Sequence, residues 1–258
     1  MKYFLFLFLA PLFFTNAQTD SIFLSDVNDA LKVSSDFYTS PLKFDSEDWI
    51  KFSAVVGLTG IATLADKDIR TLSQRNQSEV ANKIFNVDKY YSKEFAGITI
   101  LAFYGYGLIS DNSNVRNLAV KLTEAALFAG SITLVTKIVV GRGRPYKQDN
   151  QYYTNPFTID NDYNSFPSGH TTLAFAYSTV MANEVDNIFW KVGWYTAAGV
   201  VGYARTYHNQ HWFSEVILSA AIGYFAGEFV NNHNSVEKGK TELCLFPLPN
   251  GFTVLLRF

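Results

Sequence analysis

The chain has 258 residues, 48% of them hydrophobic and 16% aromatic, so it can bury a sizeable core as one large domain or two small ones. A formal net charge of -2, with no basic run, excludes a surface built to track a nucleic-acid backbone, and no nucleic-acid partner is expected. A single cysteine, Cys244, excludes an internal disulfide and a cysteine-based metal site, so packing must hold the fold.

Residues 1–17 read as a secretory signal: Lys2 is the positive start, Tyr3 to Phe14 the apolar core, and Thr15-Asn16-Ala17 a small-residue cleavage site. Removal after Ala17 is expected. A retained membrane anchor is the alternative, disfavoured by the short apolar core. Residues 18–47 are polar and mixed, and are expected to be irregular with short helical pieces.

From 48 to 233 the pattern changes. Apolar segments at about 50–65, 95–110, 117–139, 170–184, 188–206 and 212–231 alternate with polar joints, which predicts six helices. Small residues are scattered through them, as close helix contacts prefer. The fold class expected is all-α: a bundle of about six core helices with the active site at one end. In the tail, residues 234–258, Asn250-Gly251 between apolar runs suggests a short β-hairpin.

The apolar runs sit near the threshold for crossing a membrane. They are interrupted by Lys121, Glu124, Lys137, Lys191, Arg205, Glu215 and Glu228. Many of these charges fall near helix ends, where long side chains reach water. Membrane association is the expectation, and a bundle free of the membrane the alternative.

Three short blocks carry the chemistry. Lys137 and Arg144-Pro145 end the third predicted helix; Pro167-Ser168-Gly169-His170 open the fourth. Ala204-Arg205 end the fifth, and His211 opens the sixth four residues before Glu215. Short connections make successive helices antiparallel, so all three blocks fall at one end of the bundle. Lys137, Arg144 and Arg205 offer a point charge and two planar forks to a dianionic phosphate. Ser168 and the backbone around Gly169 sit at a helix N-terminus, where anions are favoured. Histidine serves as nucleophile, acid or base. His211 and Glu215, at i and i+4, share a helix face, so the carboxylate can hold one ring nitrogen and free the other.

Order and spacing of these blocks resemble the type 2 phosphatidic acid phosphatase superfamily, which also holds bacterial acid phosphatases and vanadium haloperoxidases. Its pattern is K-x6-R-P, P-S-G-H, then S-R-x5-H-x3-D; the match runs from 137 to 215. The resemblance implies a helical bundle and a metal-independent phosphatase without cofactor. His211 would attack phosphorus to form a phosphohistidine, and His170 would protonate the leaving group and then activate water. Lys137, Arg144, Ser168, Gly169 and Arg205 would bind the phosphoryl oxygens, and Glu215 would orient His211. The expected substrate is a phosphorylated lipid (phosphatidic acid, phosphatidylglycerol phosphate, a polyprenyl diphosphate or a lipid A phosphate). With the signal, this places the protein in the periplasmic space or in the inner membrane with the site facing the periplasm. A soluble periplasmic acid phosphatase is the alternative, and a catalytically weak envelope protein a more distant one. The chain departs from the pattern twice, with Ala204 for serine and Glu215 for aspartate.

Ordinary explanations exist for single residues. Ser168 can simply cap a helix, and Lys137 or Arg205 can offset a helix dipole. Arg142 lies off the pattern and reads as a surface or rim charge. His208, three residues before His211, lacks a third ligand of convincing spacing for a metal. Asp149, Asp160 and Asp162 read as a solvated loop.

Overall fold

A computed structural model describes residues 17–86, 88–91, 93–237, 242–248 and 251–257. The signal-peptide reading falls on residues that, apart from Ala17, lie outside the described ones. Nine helices run in order among the described residues: α1 (Ala17–Thr39), α2 (Ser46–Arg75), α3 (Glu79–Phe85), α4 (Asp88–Tyr91), α5 (Lys93–Ile109), α6 (Ser113–Val140), α7 (Gly169–Asn183), α8 (Ile188–Tyr207) and α9 (Phe213–Glu237). The all-α class holds, and each of the six expected apolar segments forms a helix, namely α2 and α5 to α9. The tail forms an antiparallel pair, β1 (Glu242–Leu248) and β2 (Gly251–Arg257). Leu248 pairs with Gly251, so Gly251 opens β2 instead of lying in the turn.

Two boundaries need correction. Residues 18–47, expected to be irregular, are mostly the 23-residue helix α1. Its own apolar pattern is sparse, and tertiary contacts supply what it lacks. Val33 is buried, and Phe37 stacks on Phe128 of α6 with ring centroids 4.4 Å apart. Asp26 accepts from Arg116 Nε at 3.1 Å and from the Tyr104 hydroxyl at 2.9 Å. The second correction is α2, which continues ten residues past the expected end at 65. A capping box between Asp45 and Asp48 starts it. Its polar last third persists because Asp66 and Ser73 point into the protein and are buried.

α7 packs against α6, α8 and α9, and α9 packs also against α2 and α6. The main core lies between α1, α6, α7 and α9, around Leu122, Phe128, Val180, Met181 and Val230. The α7–α9 contact is close enough to require glycine. A Cβ on Gly223 would stand 2.3 Å from Thr172 O and 2.7 Å from Ala176 N.

Among the described residues, three helices are long and apolar enough to cross a membrane: α2, α6 and the Phe213–His233 part of α9. Almost nothing of the α2 apolar stretch is buried; Ile61 and Leu64 are 67% and 69% exposed. At the other extreme, the loop from 141 to 168 is pinned to the bundle. Gly141 ends α6 at φ 58°, where a Cβ would collide with Asn155 O. Arg144 N donates to Asp162 O at 2.9 Å, and Ser165 N to Arg142 O at 3.0 Å.

Candidate active site

The C-terminal ends of α6 and α8 and the N-terminal ends of α7 and α9 meet at one end of the bundle. Lys137, in the last turn of α6, reaches across to the start of α7. Its ammonium donates to Asn164 O at 2.6 Å and Ser165 O at 3.1 Å. Its Cε lies 4.0 Å from where a Cβ on Gly169 would be, so the lysine stem passes over that glycine. Ser168 caps α7: its hydroxyl accepts from Thr171 N at 3.5 Å and from the Thr171 hydroxyl at 3.0 Å. Ser168 N donates to the Ser219 hydroxyl at 2.6 Å, which fixes the start of α7 against α9. His170 follows, half-buried, as the second residue of α7.

His211 lies between α8 and α9 and is 3% exposed. Its Nδ1 is 2.8 Å from Glu215 Oε2, the i+4 pairing expected across the first turn of α9. The carboxylate can only accept there, so the proton sits on Nδ1 and the lone pair on Nε2. Arg144 Nη1 is 3.4 Å from that Nε2. The Arg144 fork is anchored by Asn161 O at 2.7 Å, Asn161 Oδ1 at 3.1 Å and Gln210 O at 3.2 Å. Arg205 donates to the buried Asp88 of α4 at 2.6 Å.

Burial, reinforced by the positive charges of Lys137, Arg144, Arg205 and His170, holds the pKa of His211 well below its ordinary 6.5. The four groups that depress it come from all three sequence blocks. A neutral imidazole, tied at one nitrogen and ringed by cations, offers its other nitrogen to an electrophile that bears negative oxygens.

Residues 118–234 match the PAP2 superfamily. The chain carries a PAP2 domain. Over 67 residues it is 42% identical to a protein named lipid A 1-phosphatase from Porphyromonas gingivalis, covering 25% of this chain and 15% of that protein. The chain thus spans far less than two thirds of that curated relative. Two solved structures share the fold. LpxE from Aquifex aeolicus matches with a TM-score of 0.50 and 20% identity, over 64% of this chain and 93% of its own. A transmembrane PAP2-type phosphatidylglycerolphosphate phosphatase from Bacillus subtilis matches with a TM-score of 0.52 and 15% identity, over 73% and 96%.

Every residue of the three blocks lies inside the PAP2 domain, but two carboxylates that serve the site do not. Asp66, from α2, is fully buried. It accepts from Ser214 N at 2.7 Å, the Ser214 hydroxyl at 2.6 Å and Arg142 Nη2 at 2.7 Å. Asp88, from α4, holds Arg205. Neither stood out in the sequence; a carboxylate closing the apolar run of α2 was the one available sign of Asp66.

Arg142 corrects the sequence reading outright. It is not a rim charge but is 5% exposed. Its Nη1 lies 3.3 Å from Glu215 Oε1 and 2.9 Å from the Ser214 hydroxyl, while Nε and Nη2 donate to Gln151 O at 2.9 and 2.6 Å. Burial turned it inward because two carboxylates there need a cation. Ser165, inside the NSFPSGH stretch, was also missed. Its hydroxyl donates to Glu215 Oε2 at 2.5 Å. Ala204, the other departure from the family pattern, is fully buried in α8. His208 faces Phe85 O at 3.3 Å and Asp88 Oδ1 at 3.7 Å, turned to the α4 side. Asp162 accepts from the Tyr146 hydroxyl at 2.8 Å and lies 3.1 Å from Lys147 Nζ. Asp160 caps a 3-10 turn, Asn161–Tyr163.

Proposed function

We propose that the protein is a membrane-embedded phosphatase that hydrolyses phosphate monoesters or diphosphates of lipids through a phosphohistidine. The reading is carried by one observation: His211 Nδ1 rests 2.8 Å from Glu215 while Nε2 faces Arg144, with Lys137, Arg205 and His170 close enough to depress its pKa. The names of the curated relative and of the Bacillus subtilis structural neighbour support the lipid-phosphate class.

The mechanism follows from charge and position. Lys137, Arg144 and Arg205, with Ser168, Gly169 and the N-terminus of α7, take up the phosphoryl oxygens. The Nε2 lone pair attacks phosphorus and the bond to the lipid oxygen breaks. Protonated His170 gives that oxygen its proton. Neutral His170 then takes a proton from water as the water oxygen attacks phosphorus. The P–N bond breaks, phosphate leaves, and both imidazoles return to their starting forms. Glu215 keeps the Nδ1 proton in place throughout and balances the positive charge His211 carries as the phosphoramidate. No step calls for a metal or a cofactor.

The apolar helices α2, α6 and α9 each reach the site along part of their length, which supports a position at the membrane boundary, where a lipid headgroup can enter with its tails still in the bilayer. The signal-like N-terminus supports export, with the site on the periplasmic side of the inner membrane.

The test is phosphate release by the purified chain in vesicles, from phosphatidic acid, phosphatidylglycerol phosphate, a polyprenyl diphosphate, a lipid A phosphate and p-nitrophenyl phosphate. Release is expected to survive a chelator and to be inhibited by vanadate. His211→Ala should abolish turnover, and His170→Ala should lower it by about 10²–10⁴. An acid-labile phosphoprotein should be trapped on rapid quenching of the His170→Ala variant. Activity lost to the chelator, or retained by His211→Ala, overturns the proposal.

A further inference from the structure

The polar end of α2 carries a surface that the chemistry above does not use. Lys67, Arg70, Thr71, Gln74 and Arg75 follow one another at i, i+3, i+4, i+7 and i+8, the spacing of a single helix face. With Asp149 from the loop after α6 they line a cleft of about 550 Å³, the size of a ligand pocket. Three cations face one carboxylate there.

The cleft adjoins the nucleophile without being part of its cradle. Arg70 is its fixed wall: Nε donates to Asn209 Oδ1 at 2.9 Å, two residues before His211, and Nη1 donates to Asp149 at 3.0 Å. Its guanidinium lies 5.5 Å from the centroid of the Trp212 ring. Gln74 Nε2 donates to Tyr207 O at 3.0 Å, which ties the same helix face to the end of α8. Lys67 and Arg75 are exposed. Asp149, the one acidic group in the lining, has a 95% exposed side chain and is already engaged by Arg70.

Polarity along α2 sets the depth of the cleft. The helix is apolar and outward-facing through Leu64, then turns basic from Lys67 onward. In a membrane that change falls at the headgroup layer, where basic side chains meet lipid phosphates. We propose that this cleft binds a lipid-borne phosphate group other than the one being hydrolysed. That group is either a second phosphate on the substrate itself or the headgroup phosphate of a neighbouring anionic lipid. The inference rests on the lipid-phosphatase reading and adds to it a preference for substrates or surfaces with more than one anionic group.

The test uses the full chain and the double variant Lys67→Ala/Arg75→Ala, which leaves Arg70 and its contacts intact. Four substrates separate the outcomes: p-nitrophenyl phosphate, a one-phosphate lipid in phosphatidylcholine vesicles, a lipid bearing two phosphate monoesters in the same vesicles, and the one-phosphate lipid in vesicles containing phosphatidylglycerol. The first two should be hydrolysed as by the parent. A rise in KM of about tenfold on the third alone assigns the cleft to the substrate's second phosphate, and the same rise on the fourth assigns it to a neighbouring lipid. An unchanged KM on both, or an equal loss on all four, overturns the proposal. Should the chain release no phosphate at all, the cleft is still read by native mass spectrometry of the detergent-solubilised protein with phosphatidylglycerol against phosphatidylcholine. Retention of phosphatidylglycerol by the parent and its loss in the variant supports the cleft; equal retention by both proteins overturns it.

Discussion

Glu215 is one methylene longer than the aspartate of the family pattern, and its surroundings fit that length. Oε2 collects His211 Nδ1, the Ser165 hydroxyl and, at 3.3 Å, Trp212 N; Oε1 meets Arg142. Arg142 in turn bridges Glu215 to Asp66, so one guanidinium neutralises two fully buried carboxylates. Arg142→Met would leave both without a cation and should cost about 3–5 kcal/mol, the range for breaking a buried pair. Thermal unfolding would show it, and adding Asp66→Asn should restore part of the loss; an unchanged melting temperature would mean the bridge contributes nothing. The same scale governs pH dependence. Because the folded pKa of His211 lies below 6.5, the unfolded chain takes up the proton first, and stability drains away as pH falls from 6.5 toward the folded value. The acid limb of kcat/KM should therefore lie below 6.5. Lys137→Met removes a cation that depresses His211, so the limb should move to higher pH in that variant. A limb that stays or moves down would contradict the electrostatic account.

Among the elements, α7 and α9 are fixed to each other most tightly. Gly223 of α9 sits against the backbone of α7 with no room for a side chain. Gly223→Ala should overpack the contact and destabilise by about 1–3 kcal/mol. Gly57 on the outward face of α2 meets nothing within 4 Å, so Gly57→Ala should be neutral or stabilising by up to about 1 kcal/mol through helix propensity. Thermal melts of the two variants side by side check the contrast; equal effects would mean the close approach is not a constraint. These elements also mark what the sequence could disclose. Continuous apolar runs announced α5 to α9 and the apolar part of α2, because burial or lipid contact demands such runs regardless of context. α1 was illegible because its few apolar residues, such as Val33 and Phe37, gain their partners from α6 and α9, far along the chain. The three blocks announced the candidate site, the end of the bundle where they meet, because each pairs a charge with a helix end. Asp66 and Arg142 did not, since 76 positions separate them and neither looks unusual until both are buried together.

For the molecule as a whole, the decisive arrangement is that α6 ends, α9 begins and the last third of α2 passes beside the segment that carries His211. Chemistry placed at that level divides the reactants by where they dwell. On the proposed lipid-phosphatase reading, the tailed substrate and its dephosphorylated product would stay within a plane, while inorganic phosphate would escape into three dimensions. Encounter then becomes a lateral search, governed by mole fraction in the sheet of lipids rather than by bulk concentration. Diluting the substrate with inert lipid would slow the reaction even when the total amount in the vessel is unchanged.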